Sequence, residues 1–153
     1  VAEGNLKAIS RSAAVISFDL QGRVLDGSTF PVNPAGFTVH AAIHDGMEGA
    51  HCVMHTHTTA GVAVACLKDG LSQSNFYSAQ LHDMVAYHAF EGITIHADEA
   101  PRLLKSIGSK PAVILRNHGL LTVGRTVPDA ARCRRPLPSS GRCSAPARSS
   151  SPR

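Results

Sequence analysis

The sequence predicts an α/β fold, with helices layered on a mixed sheet. Three observations predict it. Stretches with helical spacing alternate with short strand-like apolar runs. An early segment, residues 14–26, reads as a hairpin, which puts antiparallel pairing into the same sheet. The chain has 153 residues, 43% of them hydrophobic and 17% charged, which is enough for one domain with a real core.

Within 14–26, AVISFDLQGRVLD reads as two short strands around a Gln21-Gly22 turn. Residues 27–36, with two prolines and two glycines, predict a loop. Residues 37–44 suit a helix with Phe37, Ala41 and His44 near one face. In 51–57 the set His51, Val53, His55 and His57 alternates with Cys52, Met54 and Thr56, the period of a strand. Small residues in 59–67 predict a closely packed helix that ends before Asp69-Gly70. Residues 75–84 have mixed signals with some helical character, and 93–96 read as a strand. Asp98 stands where a cap would open a helix that runs to Ile107 and stops at Gly108. Residues 112–115 make a short buried strand, and Leu120 to Val123 make another. Thr126 followed by Val127 and Pro128 signals a further helix start.

That last helix loses its pattern after Ala131. Residues 132–153 hold four prolines, six serines and one large aliphatic residue, a composition that cannot bury enough apolar surface to fold. Two origins compete for this tail: a natural basic extension, or a shifted reading frame. The break falls one turn into a well-signalled helix, which favours the second. Residues 1–131 are therefore expected to form the folded domain and 132–153 an Arg/Pro/Ser-rich tail.

The formal net charge of +4 belongs to that tail. Without its six arginines the chain carries nine basic side chains against eleven acidic ones. The body is mildly acidic and offers no basic face for nucleic acid. No apolar run approaches the ~20 residues of a membrane helix, and VAEGNLKAIS has no secretion-signal pattern. The expectation is a soluble, cytoplasmic chain with neither membrane nor nucleic-acid partners. The four cysteines form no CxxC pair, and Cys52 and Cys66 lie in apolar stretches that predict burial.

Chemistry concentrates in the nine histidines. His55 and His57 lie two residues apart on a strand, so they share a face about 6.5–7 Å apart along the backbone. Two imidazoles there can converge on one ion at the ~2.0–2.1 Å of a zinc–nitrogen bond. Taken alone, the pair fits a polar strand face as well. His118 is the best third ligand: it follows a buried strand and precedes Gly119, at the tight turn of Arg116-Asn117-His118-Gly119. Three histidines with an open fourth position are the pattern of a catalytic zinc site, although other divalent metals fit too. His51 is a candidate partner behind the ligands and Asn117 a candidate for orienting the His118 turn. His40 and His44 read as packing or hydrogen-bonding residues, and His82, His88 and His96 as surface or loop positions.

MHTHTTAGVAVACLKDGL, VAYHAFEGI and AVILRNHGLLTVGRTVPDA, with NPAGFTVHAAIH upstream, resemble the class II aldolase/adducin family in order and spacing, over roughly Gly4 to Ala130. The resemblance implies a layered α/β/α fold around a mixed, largely antiparallel sheet, truncated here at the N-terminus and without its C-terminal helix. It implies zinc on His55, His57 and His118, and tetramers with sites between subunits. The aldolase branch splits phosphorylated sugars, with a glutamate moving the proton. In that branch Ser-Ser-Glu precedes the first helix, where this chain has Pro34-Ala35-Gly36. Gly36 cannot carry a proton, which leaves Glu91 as a weak substitute. The Ala-Gly-Phe run is similar to the adducin-like branch. The resulting expectation is a divalent-metal-binding protein, a metal-dependent lyase on a small hydroxy-carbonyl or sugar-derived substrate. The alternative is a non-catalytic adducin-head-like module that assembles oligomers.

Overall fold

A computed structural model of the chain describes residues 16–92 and 97–133. The first helix, α1 (Pro34–Gly46), begins three residues earlier than its apolar spacing indicates. Asn33 causes this: its side chain accepts from the amides of Ala35 and Gly36, and Pro34 fits the first turn because it has no amide hydrogen to lose. The predicted loop therefore ends at residue 33. Before it, 16–26 form only one antiparallel bridge, Phe18 with Val24, and not two strands. Asp19 sets that turn by accepting from the amides of Gln21 and Arg23, while Gly22 takes a positive φ of 79°. Residues 14–15 of the expected hairpin lie outside the described residues.

Among the described residues the sheet has four strands: β1 (Cys52–Thr56), β2 (Val85–His88), β3 (Ala112–Leu115) and β4 (Gly119–Gly124). Their order is β1-β4-β3-β2. β1 and β3 both run antiparallel to β4, and β2 runs parallel to β3, so the sheet is mixed and largely antiparallel, as expected. β2 is the strand that sequence patterning passed over, and the strand expected at 93–96 lies outside the described residues. β3 is buried throughout, and β4 alternates buried with half-buried residues.

Register fixes two faces. Val53 pairs with Val123, His55 with Leu121, Leu121 with Val113, and Leu115 with His88, so these share one side. Val39 and Ile43 of α1 and Leu103 and Ile107 of α4 (Ala100–Ile107) pack on that side into one core. The helix α2 (Thr59–Ala65) lies on the other face, where a Cβ on Gly61 would stand 2.8 Å from Leu120. A single turn, α3 (Phe76–Ala79), is capped by Asn75, and α5 (Val127–Arg132) by Thr126. α4 stops at Gly108 as predicted, with φ of 56°. Its cap position, however, is Glu99, at the end of a 3-10 turn (Ala97–Glu99). Asp98 is instead 3.6 Å from Arg102 on the surface. The cysteines also depart from expectation: Cys66, at the cap just past α2, is exposed and Cys52 is half-buried.

Candidate functional site

β1 and β4 bring the site together. His55 is inside β1 opposite Leu121, and His57 lies one residue past the strand end. His118 stands in the turn between β3 and β4, beside them. The three ring centroids form a nearly equilateral triangle with sides of 4.5, 4.8 and 4.8 Å. One ring nitrogen from each lies within 4.8 Å of the others.

Backbone contacts hold this triangle. His55 Nδ1 is 2.9 Å from the Leu120 carbonyl oxygen, which can only accept, so Nδ1 carries the hydrogen and the Nε2 lone pair is free for the site. His57 Nε2 lies 2.7 Å from His55 Nε2, close enough for a hydrogen bond between the rings. The His118 turn is tied down at each residue. Arg116 donates its amide to His88, and its guanidinium donates to the carbonyls of Leu67 and Lys68 while lying 4.8 Å over the Tyr87 ring. Asn117 adopts a left-handed φ of 56°, which asparagine tolerates, and donates its amide to Ala65. The His118 amide donates to Leu115.

Gly119 clears the floor of the site. A Cβ there would meet the Thr56 carbonyl oxygen at 2.6 Å and His57 Cδ2 at 2.8 Å. The need for a glycine at that close approach was visible in the sequence only as a turn signal.

Electrostatics favour the neutral form of His55 and His118. Burial lowers the proton affinity of His55 below the ordinary imidazole value, and His118, His57 and His40 push it further the same way, against the raising pull of the Leu120 carbonyl. Burial likewise lowers His118, with His57 assisting and the Glu99 charge opposing. A neutral imidazole is the form that offers a lone pair to a metal. A tetrahedral ion with ~2.0–2.1 Å bonds would hold its nitrogens about 3.3–3.4 Å apart. The triangle reaches that spacing by small ring movements, so the donor set fits zinc or a similar divalent ion.

Other sequence candidates fall elsewhere. His51 is exposed just ahead of β1, outside the triangle. Gly36 occupies the first turn of α1, with open space around its Cβ position. Glu91 is gripped by Arg102, whose Nε lies 2.9 and 2.8 Å from the two carboxylate oxygens, and that hydrogen bonding holds Glu91 below the usual carboxylate range. An acid so held is ionised and poorly suited to donate a proton. His40 is half-buried, with burial lowering its proton affinity, and His44 Nδ1 lies 2.6 Å from the Ala50 carbonyl oxygen. His82 is exposed as expected, and His96 lies outside the described residues. His88 corrects the expectation of a surface position. It is 3% exposed because it ends β2 on the inner face, between Ser106 Oγ at 3.0 Å and Glu99 Oε1 at 3.2 Å. Val85–His88 alternates half-buried with buried residues in the structure, but the residue types Val-Ala-Tyr-His carry no such alternation in the sequence.

Residues 4–134 match the family described as the Class II Aldolase and Adducin N-terminal domain, and the chain belongs to that family. It is 42% identical to mouse (Mus musculus) alpha-adducin over 122 residues, covering 78% of this chain and 16% of the adducin. Among solved structures, an aldolase II superfamily protein from Pseudomonas syringae superposes with a TM-score of 0.73 at 39% identity, over 77% of this chain and 48% of the other. An L-fuculose 1-phosphate aldolase from Glaciozyma antarctica PI12 gives a TM-score of 0.63 at 31% identity, over 75% and 44%. The chain spans 46% of the length of two bacterial curated relatives it matches, about half. Among the described residues, no helix is long and apolar enough to cross a membrane.

Proposed function

We propose that this chain is a divalent-metal-binding class II aldolase-like protein, with zinc as its ion and His55, His57 and His118 as ligands. The observation that carries the reading is the triangle of ring nitrogens within 4.8 Å, at the end of β1 and on a turn that backbone hydrogen bonds tie down. A bound ion would act as a Lewis acid toward a substrate oxygen. The chain's own contribution is to favour the neutral form of His55 and His118, to fix His55 by the Leu120 carbonyl, and to clear the approach at Gly119. The activity class is a metal-dependent lyase, retro-aldol or decarboxylating, on a small hydroxy-carbonyl or sugar-derived substrate. The structural likeness to an L-fuculose 1-phosphate aldolase supports it. The same reading expects a homo-oligomer in the cytoplasm.

Metal content of the purified chain tests this, beside a His55→Ala/His57→Ala double variant. The expected result is about one zinc per chain, lost in the variant. A folded chain that takes up no divalent metal sinks the enzyme reading.

A second reading has its own observation. Gly36 provides no proton carrier where the aldolase branch has glutamate, and the chain is 42% identical to an adducin. That favours a non-catalytic module that assembles with copies of itself. It predicts defined oligomers whose size does not change when metal is stripped.

A further inference from the structure

Beside His118 the chain buries a second polar group, one that the three-histidine triangle does not contain. Glu99, at the end of the 3-10 turn before α4, is 9% exposed. Its Oε1 lies 3.2 Å from His88 Nε2, and His88 is itself 3% exposed. On the far side of that ring, Nδ1 lies 3.0 Å from Ser106 Oγ, whose hydroxyl donates to the Arg102 carbonyl. His88 is thereby pinned at both nitrogens and holds the Glu99 carboxylate in one place.

That carboxylate borders a cavity of about 10 Å³, which His118 and Arg116 also line and which Val39, Leu103 and Leu115 close with apolar walls. A volume of about 10–15 Å³ is what one water needs, provided it has polar partners. Glu91 borders the same cavity, but Arg102 occupies both its oxygens. Glu99 is the carboxylate left to serve His118. A metal-bound imidazole commonly gives its other N–H to a carboxylate or a water, which fixes its tautomer and its aim.

We propose that Glu99, clamped by His88, is the positioning carboxylate of the metal site. Through one water in this cavity it receives the N–H of the His118 nitrogen turned away from His55 and His57. The inference rests on the three-histidine reading above and extends it to residues outside the triangle.

Cobalt(II) titration of the full chain, followed by visible absorbance, tests it beside thermal unfolding of the metal-free protein. Glu99→Gln keeps the size of the side chain and removes its charge. It is expected to bind cobalt about 10–100-fold more weakly, with an altered visible spectrum. Wild-type affinity in a folded Glu99→Gln variant overturns the proposal. Should that variant fail to fold, the cobalt-loaded wild type decides by proton NMR. Two slowly exchanging, metal-shifted imidazole N–H signals are expected, one from His55 on Leu120 and one from His118. Absence of the His118 signal overturns the proposal. If the wild-type chain takes up no cobalt, the metal reading itself fails. Uptake with unchanged Glu99→Gln affinity removes the positioning role alone.

Discussion

Gly119 is a single residue on which the geometry of the site turns. Its neighbours on the missing Cβ are the Thr56 carbonyl, which belongs to the strand, and the ring of His57. The ring can move, but the carbonyl cannot move without breaking the β1–β4 ladder. Gly119→Ala is therefore expected to cost about 1–3 kcal/mol, the range for forced overpacking. By displacing His57 it should also weaken the zinc binding proposed above. Denaturant unfolding and a zinc titration of the same protein measure both, and an unchanged midpoint would refute the close approach. At this scale the site was partly legible. The two-residue spacing of His55 and His57 and the Asn-His-Gly turn are local patterns, and the three side chains do meet. His88 and Glu99 were not legible as a pair. They are eleven positions apart on separate elements, and only the parallel register of β2 on β3, with α4 packed above, brings them face to face.

Among the elements, α1 illustrates what local chemistry decides. Asn33 and Pro34 set its start, and the apolar spacing that predicts a helix over 37–44 carries no information about that first turn. Gly36 is then a helical glycine with nothing within 4 Å of its Cβ position. Gly36→Glu is expected to raise stability by roughly 0.5–1 kcal/mol, from helix propensity. A negative charge in the first turn adds a favourable dipole interaction. A thermal melt checks the sign, and a lowered midpoint would mean that the space is filled in solution. β2 escaped the reading of the sequence for a different reason. Four residues are too few for a period to stand out, and the pairing that makes Val85–His88 a strand comes from β3, well downstream. The fully apolar β3 needed no such help.

For the whole molecule, three half-buried histidines make stability depend on pH. Burial lowers the proton affinity of His40, His55 and His118 in the folded chain. Below the ordinary imidazole value of ~6.5 the unfolded chain binds protons that the folded chain refuses. The folded state of the metal-free protein is thus expected to lose stability as pH falls through that value, with the loss levelling off once the folded rings also protonate. Melting temperatures of the metal-free chain from about pH 8 to about pH 5 trace this. His40→Gln should flatten the slope, and a melting point that rises on acidification would reverse the assignment. The mixed, layered architecture was legible in the alternation of elements. The antiparallel share of the sheet was expected from a hairpin at 14–26, yet it comes from β4, which pairs with both β1 and β3.

The pairing of β1 with β4 has one more consequence. His55 and Leu120, 65 positions apart, are joined by a hydrogen bond that depends on a single register. A slip of one residue would turn His55 to the opposite face, because side chains alternate along a strand. With a metal bound as proposed, the histidine triangle would act as a proofreading device. A metal ion that requires all three rings would distinguish the correctly registered sheet from its nearest misfolded neighbour, and would reward only the former.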